Sequence, residues 1–233
     1  MGMLQCKKTE VFFMELKGKK AVFLGDSITE GVGVSKTENI YLNRLQVMGE
    51  LAEVKNYGIS GTRFARQKTP SDYAPSFDLD FCMRAEELDA DADIIVVFGS
   101  TNDFGHGDAL IGTPEDRTPD TFWGACHYLM NRLLERFPGK AIVFMTPLHR
   151  CDEDCPKGIP TGLDTPVTLD TYNEILKTVA AWYAIPVLDM RTQCYIQPRA
   201  PHIAQAFCPD GLHPNDAGHE LLANRLYGFL KSL

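Results

Sequence analysis

The chain has 233 residues, 44% of them hydrophobic and 23% charged, which is the composition of an ordinary globular protein. Its formal net charge is −8 and its basic residues do not cluster, so nucleic acid is not expected as a partner, because phosphate binding depends on clustered lysine and arginine. No apolar run approaches the roughly 18 residues that span a bilayer, so we expect no stable membrane association.

Short apolar runs alternate with longer amphipathic stretches along the chain. The apolar runs predict five strands, at residues 20–24, 52–57, 93–98, 141–145 and 186–188. The stretches between and after them predict helices at residues 40–51, 81–88, 121–137, 169–183 and 215–230. Strands that are apolar on both faces and alternate with helices are typical of an α/β fold. We therefore expect a single domain over residues 1–233, built as a flavodoxin-like three-layer α/β/α sandwich with a five-stranded parallel sheet and an N-terminal extension at residues 1–18.

Polar segments follow the ends of the first three predicted strands. They are Gly25-Asp26-Ser27-Ile28-Thr29, Asn56-Tyr57-Gly58-Ile59-Ser60-Gly61-Thr62-Arg63 and Gly99-Ser100-Thr101-Asn102-Asp103. A fourth, Asp210-Gly211-Leu212-His213-Pro214, precedes the last predicted helix. The carboxyl ends of parallel strands open onto one crevice, where such folds bind their ligands. The sequence therefore predicts that these segments share one site.

The residue types in these segments suit nucleophilic catalysis. A serine hydroxyl such as that of Ser27 is a poor nucleophile until a neighbouring base removes its proton. Histidine, here His213, is the usual base, and a carboxylate such as that of Asp210 can hold its ring and stabilise its charged form. The tetrahedral oxyanion also needs donors. Gly61 can bring its backbone N–H close to a ligand, and Asn102 offers a neutral side-chain amide.

The four segments, in this order, resemble the conserved blocks of the GDSL esterases, also called SGNH hydrolases. The resemblance runs from Gly25 to His213 and implies the SGNH hydrolase fold. It implies a catalytic triad of Ser27, Asp210 and His213, and an oxyanion hole formed by Ser27, Gly61 and Asn102. It also implies a serine esterase that works through an acyl-serine intermediate and needs no metal or other cofactor. The third block departs from the family pattern, because Ser100 stands where glycine is usual.

Other interpretations stay open for single features. Taken alone, Gly25-Asp26-Ser27 could be a turn that caps a helix. The candidate substrate contacts are Asp26, Arg63 and His106. Arg63 could instead be a surface arginine, and His106 a loop histidine without a role in binding. The pair Cys151 and Cys155 is weak evidence for zinc, since one C-x3-C has no second pair or suitably spaced histidine.

The natural substrate cannot be read from motifs that the whole family shares. We expect a small ester, with short acyl groups favoured, such as acetyl on a carbohydrate. A thioesterase, a lysophospholipase and a non-catalytic carbohydrate- or acyl-binding module are the alternatives. The long segments at residues 104–119 and 149–166 are predicted to shape the pocket. The N-terminus lacks the apolar core of a secretory signal, which favours a cytoplasmic protein, with secretion open if the natural chain is longer. The sequence does not predict an oligomeric state.

Overall fold

The computed structural model describes residues 14–72, 74–154 and 167–233. A five-stranded parallel sheet lies at its centre, in the order β2-β1-β3-β4-β5. The strands are β1 (Lys20–Gly25), β2 (Glu53–Gly58), β3 (Ile94–Phe98), β4 (Ala141–Met145) and β5 (Val187–Leu188). This is the flavodoxin-like strand order, so the predicted fold is confirmed, and each predicted strand lies within about one or two residues of an observed one.

Helices cover both faces of this sheet. They are α1 (Ser27–Glu30), α2 (Tyr41–Gly49), α3 (Phe81–Arg84), α4 (Thr101–His106), α5 (Phe122–Arg136), α6 (Leu169–Trp182), α7 (Met190–Gln193), α8 (Pro201–Phe207) and α9 (Asp216–Lys231). Short 3₁₀ turns lie at Thr37–Asn39, Pro75–Asp78 and Ala85–Glu87. The predicted helix at residues 81–88 is therefore wrong in part, because the chain tightens into a 3₁₀ turn at Ala85. The short helices α4, α7 and α8 were not predicted.

Two apolar cores lie on opposite sides of the sheet. Alternate strand residues divide between them: Val22 and Leu24 of β1 face the core shared with α3, α5 and α6. Ala21 and Phe23 face the core shared with α2 and α9. All five residues of β3 are buried, as its position at the centre of the sheet requires. This two-sided burial explains why β3 is a continuous apolar run rather than an alternating one.

Most of the predicted N-terminal extension, residues 1–13, lies outside the described residues. Within the remainder, Leu16 is 1% exposed and belongs to the core of α2 and α9. Gly18 donates a backbone hydrogen bond to the carbonyl of Glu50 at 2.9 Å. Residues 16–18 are thus part of the packed structure.

Candidate active site

The first three polar segments begin at one level of the sheet. The register pairs Gly25 of β1 with Gly58 of β2 and with Phe98 of β3, so the three strands end side by side. The chain turns into α1 directly after β1, and Asp26 caps that helix by accepting a hydrogen bond from the backbone N–H of Ile28 at 3.1 Å. The predicted convergence of these segments on one crevice is therefore present.

Ser27, His213 and Asp210 form a continuous hydrogen-bonded row. Ser27 Oγ lies 3.0 Å from His213 Nε2, although 186 positions separate the two residues in the chain. His213 Nδ1 lies 2.7 Å from Asp210 Oδ2. A carboxylate only accepts hydrogen bonds, so Nδ1 carries the ring proton and the lone pair of Nε2 faces the serine hydroxyl. This is the tautomer that can remove a proton from Ser27.

Asp210 is held in its charged form. Burial alone would raise the pKa of Asp210, but hydrogen bonds from the backbone N–H groups of His213 and Leu212, and from the His213 ring, together lower it. The two backbone bonds are 2.7 Å and 2.9 Å long and both reach Oδ1. A fixed negative charge at this position stabilises the imidazolium that forms when His213 takes up a proton.

Gly61 turns the backbone toward the same cavity. Its φ is +76°, in the left-handed region that glycine adopts without steric cost. A Cβ atom built here would lie 2.5 Å from the ring of Phe77, so no side chain fits. Glycine at this position therefore satisfies both the backbone angle and the close approach of Phe77.

Asn102 lies on α4 with its amide fixed at both ends. Nδ2 donates to the backbone carbonyl of Thr62 at 3.0 Å, which ties the third segment to the second. Oδ1 lies 3.2 Å from His106 Nε2. The amide nitrogen carries a second hydrogen, for which the described part of the chain shows no acceptor.

A cavity of about 330 Å³ joins these groups. Its wall includes Ser27, Gly61, Asn102 and His213, together with Val32, Ser60, Phe77, Gly105, His106, Arg150 and Leu212. The wall thus combines a few polar groups with apolar side chains, as ligand pockets generally do.

The three candidate substrate contacts differ in their surroundings. His106 borders the cavity. Asp26 and Arg63 are 1% and 3% exposed and direct their polar groups at the protein itself. Burial, together with the charges of Arg63 and Arg150, lowers the pKa of His106 to about 4, so its ring is neutral at physiological pH.

Comparison with known proteins identifies the family. The sequence model of the GDSL-like Lipase/Acylhydrolase family matches residues 23–221. The chain belongs to this family. Among the curated proteins no sequence matches.

Solved structures of similar chains agree with the fold. One is a protein from Lactobacillus plantarum that is 28% identical, with a TM-score of 0.78 over 93% of this chain and 98% of its own. A protein from Bacteroides ovatus, described as a GDSL-like lipase, is 20% identical, with a TM-score of 0.62 over 92% of this chain and 99% of its own. A two-domain esterase active on acetylated mannans is 22% identical, with a TM-score of 0.59 over 92% of this chain and 49% of its own.

Ser100 adopts a left-handed backbone conformation, which explains why glycine is usual at this position of the family's third block. Its φ is +77°, and its side chain is fully buried. Within the described part of the chain its hydroxyl has no hydrogen-bond partner. The turn into α4 therefore keeps its shape with serine, at the cost of a left-handed angle and an unsatisfied hydroxyl.

Two buried charged residues that support this site in the GDSL-like protein were missed by the sequence analysis. Arg84 is 2% exposed and donates to the carbonyl of Gly25 at 3.2 Å and 3.1 Å, to Thr62 Oγ1 at 2.8 Å and to the carbonyl of Tyr57. Asp103 accepts from the backbone N–H groups of Phe64 and Ala65, both at 2.9 Å.

Both residues join one polar segment of the site to another. Arg84 ties the ends of β1 and β2 together beside the turn that carries Ser27, and Asp103 fastens α4 to the chain that follows Gly61. Asp103 lies within the recognised third segment, so its sequence position is a usable signal. No sequence motif marks Arg84, because it is one of several charged residues between positions 84 and 93.

The pair Cys151 and Cys155 lies only partly within the described residues. Cys151 is exposed and unpaired, and Cys155 lies outside the described residues. Over residues 14–72, 74–154 and 167–233, no three His, Cys, Asp or Glu side chains gather as a metal site would need them. In the same ranges no helix is long and apolar enough to cross a membrane.

Proposed function

We propose that this chain is a serine esterase that hydrolyses carboxylic esters through an acyl-serine intermediate. The observation that carries the proposal is the row from Ser27 through His213 to Asp210, with contacts of 3.0 Å and 2.7 Å. Ser27 Oγ attacks the ester carbonyl while His213 Nε2 takes its proton. His213 then donates that proton to the leaving alcohol, and water attacks the acyl-serine with His213 again acting as base.

The proposed oxyanion hole consists of the Ser27 N–H, the Gly61 N–H and Asn102 Nδ2. Two structural features support it. Gly61 and Asn102 both border the cavity into which Ser27 opens, and the Asn102 amide keeps a second hydrogen beyond its bond to Thr62. Donors that are fixed before the reaction stabilise the developing charge without reorganising, and losing one typically costs about a hundredfold or more in rate.

The proposed substrate is an ester with a short acyl group, such as acetyl carried by a carbohydrate. The cavity of about 330 Å³ lies near the lower end of ligand pockets, which span roughly 300–1,000 Å³. The side chain of Arg150 on the wall adds a hydrogen-bonding group of the kind that a hydroxyl-rich leaving group would use. The esterase of similar fold that is active on acetylated mannans makes such a substrate a reasonable starting point.

The test compares Ser27→Ala with Ser35→Ala on a panel of p-nitrophenyl esters from acetyl to palmitoyl. Ser35 is a suitable control because its hydroxyl bonds Asp216 at 2.6 Å, on a different part of the surface. We expect the parent and Ser35→Ala to be active with short esters and Ser27→Ala to be inactive.

Labelling by a fluorophosphonate probe gives an independent readout. Labelling of the parent but not of Ser27→Ala would support the nucleophile. Hydrolysis retained by Ser27→Ala would overturn the mechanism, and a parent that neither hydrolyses nor labels would indicate a binding module. Preference for long acyl chains, for thioesters or for lysophospholipids would overturn the proposed substrate but not the catalytic row.

A further inference from the structure

We propose that His106 and Arg63 are positioning residues that fix the side-chain amide of Asn102 for oxyanion binding. The inference rests on the serine esterase mechanism proposed above. It gives His106 and Arg63 a role beside the substrate contact that the sequence predicts for them, which stays a prediction.

Hydrogen-bond chemistry sets the orientation of the Asn102 amide. The carbonyl oxygen of Thr62 can only accept, so the Asn102 atom 3.0 Å from it must be the nitrogen. Asn102 Oδ1 then faces His106 Nε2 at 3.2 Å and can only accept from it. His106 Nε2 therefore carries the ring proton.

The same logic continues to Arg63. Because Nε2 of His106 is protonated and the ring is neutral, Nδ1 has a lone pair. Arg63 can only donate, and its Nη1 lies 3.0 Å from that nitrogen. Its Nη2 donates to the carbonyl of Phe77 at 2.8 Å and to Asp78 Oδ1 at 3.3 Å. A one-directional chain of donors thus runs from Arg63 through His106 to Asn102.

Arg63 leaves one of its donors unsatisfied in this arrangement. It is 3% exposed, and its Nε has no partner among the described residues. An unsatisfied buried donor is uncommon and calls for an explanation. Here the guanidinium is turned so that Nη1 meets the imidazole, which fixes the ring tautomer that Asn102 requires.

The chain has two consequences for Asn102. It prevents the amide from turning over, which would point Oδ1 instead of N–H groups at the oxyanion. It also polarises the amide, since donation into Oδ1 makes the Nδ2 hydrogens stronger donors. Both effects act on the transition state and so on kcat, rather than on substrate binding.

The test compares His106→Asn with His106→Gln. The glutamine nitrogen reaches the place of Nε2 and can still donate to Asn102, whereas asparagine reaches only the place of Nδ1. We expect His106→Asn to lower kcat by about tenfold or more with KM changed by less than about twofold, because small misplacement of an oxyanion donor is costly. His106→Gln should recover most of that loss. Equal kcat for the two variants would overturn the proposal.

A second set of variants separates positioning from general structure. In an Asn102→Ala background, His106→Asn should change kcat by less than about twofold, since its effect passes through Asn102. An additive loss there would overturn the proposal. If His106→Asn does not fold, His106→Phe keeps a ring against Phe77, whose centroid lies 5.9 Å from that of His106, and carries the same expectations. Failure of the proposed esterase function can be told apart from failure of this inference, because in the first case the parent protein itself would be inactive.

Discussion

Asp210 binds His213 at two places at once: its Oδ1 accepts from the backbone N–H at 2.7 Å, and its Oδ2 contacts the ring Nδ1 at 2.7 Å. One carboxylate therefore shapes the turn that carries the base and also selects the tautomer of the base. The spacing of three residues makes this double contact possible, because both groups of His213 lie within reach of one side chain.

Asp210→Asn is predicted to separate these two tasks. The asparagine Oδ1 keeps the backbone bond, but its amide would donate to Nδ1 and force the ring proton onto Nε2, which could then no longer accept from Ser27. We expect kcat to fall by roughly 10³–10⁴-fold with little change in Tm. The measurement is steady-state hydrolysis of a short p-nitrophenyl ester, with Asp216→Asn as the matched control. More than about a tenth of parental activity in Asp210→Asn would contradict the assignment.

Ser100→Gly is predicted to stabilise the protein. Glycine removes a left-handed angle of φ +77° and an unpartnered buried hydroxyl, and these gains exceed the extra chain entropy of glycine. We expect about 1 kcal/mol in the free energy of unfolding, measured by urea denaturation. Ser100→Ala removes only the hydroxyl and should gain less. A larger gain from alanine than from glycine would show that the hydroxyl, and not the backbone angle, is the costly feature.

Much of the fold could be predicted from the sequence, because burial on both faces leaves a continuous apolar run such as β3. The short helices could not. A four-residue helix such as α7 has too few residues to show a helical period. Because α4 was not predicted either, the sequence placed His106 near the site but did not show that it contacts Asn102. Once α4 is known, its position four residues after Asn102 puts the two side chains on one helix face.

Arg84 shows why other parts of the site were not predictable. Its role depends on folding beneath the ends of two strands that are distant from it in sequence, and no local pattern marks that destination. Burial lowers the pKa of its guanidinium to about 10, which still leaves it charged at neutral pH. Its partners are backbone carbonyls and a hydroxyl, groups that every sequence contains.

Arg84→Met is predicted to destabilise the protein strongly. Methionine fills part of the volume but removes the donors that reach Thr62 Oγ1 and the carbonyls of Gly25 and Tyr57, and of these contacts the Gly25 carbonyl keeps the backbone N–H of Ile59 at 3.1 Å. We expect a loss of about 3 kcal/mol or more in urea denaturation. Arg136→Met is the matched control, because Arg136 also donates to backbone carbonyls, those of Ala85 and Leu88, but from a half-buried position. Equal losses for the two variants would mean that burial does not set the cost.

Asp26→Asn is predicted to change how stability depends on pH. Burial raises the pKa of Asp26 from 3.8 to about 7, opposed in part by the bond from Ile28 and the charge of Arg84. The unfolded chain therefore releases this proton first, so the folded state loses stability as pH rises from about 4 to about 7. Asparagine keeps the Oδ1 acceptor for Ile28 and cannot ionise. Its advantage over the parent should be absent near pH 4 and reach about 4 kcal/mol above pH 8, measured by urea denaturation across this range. A difference between the two proteins that is constant with pH would show that Asp26 ionises equally in the folded and unfolded chain.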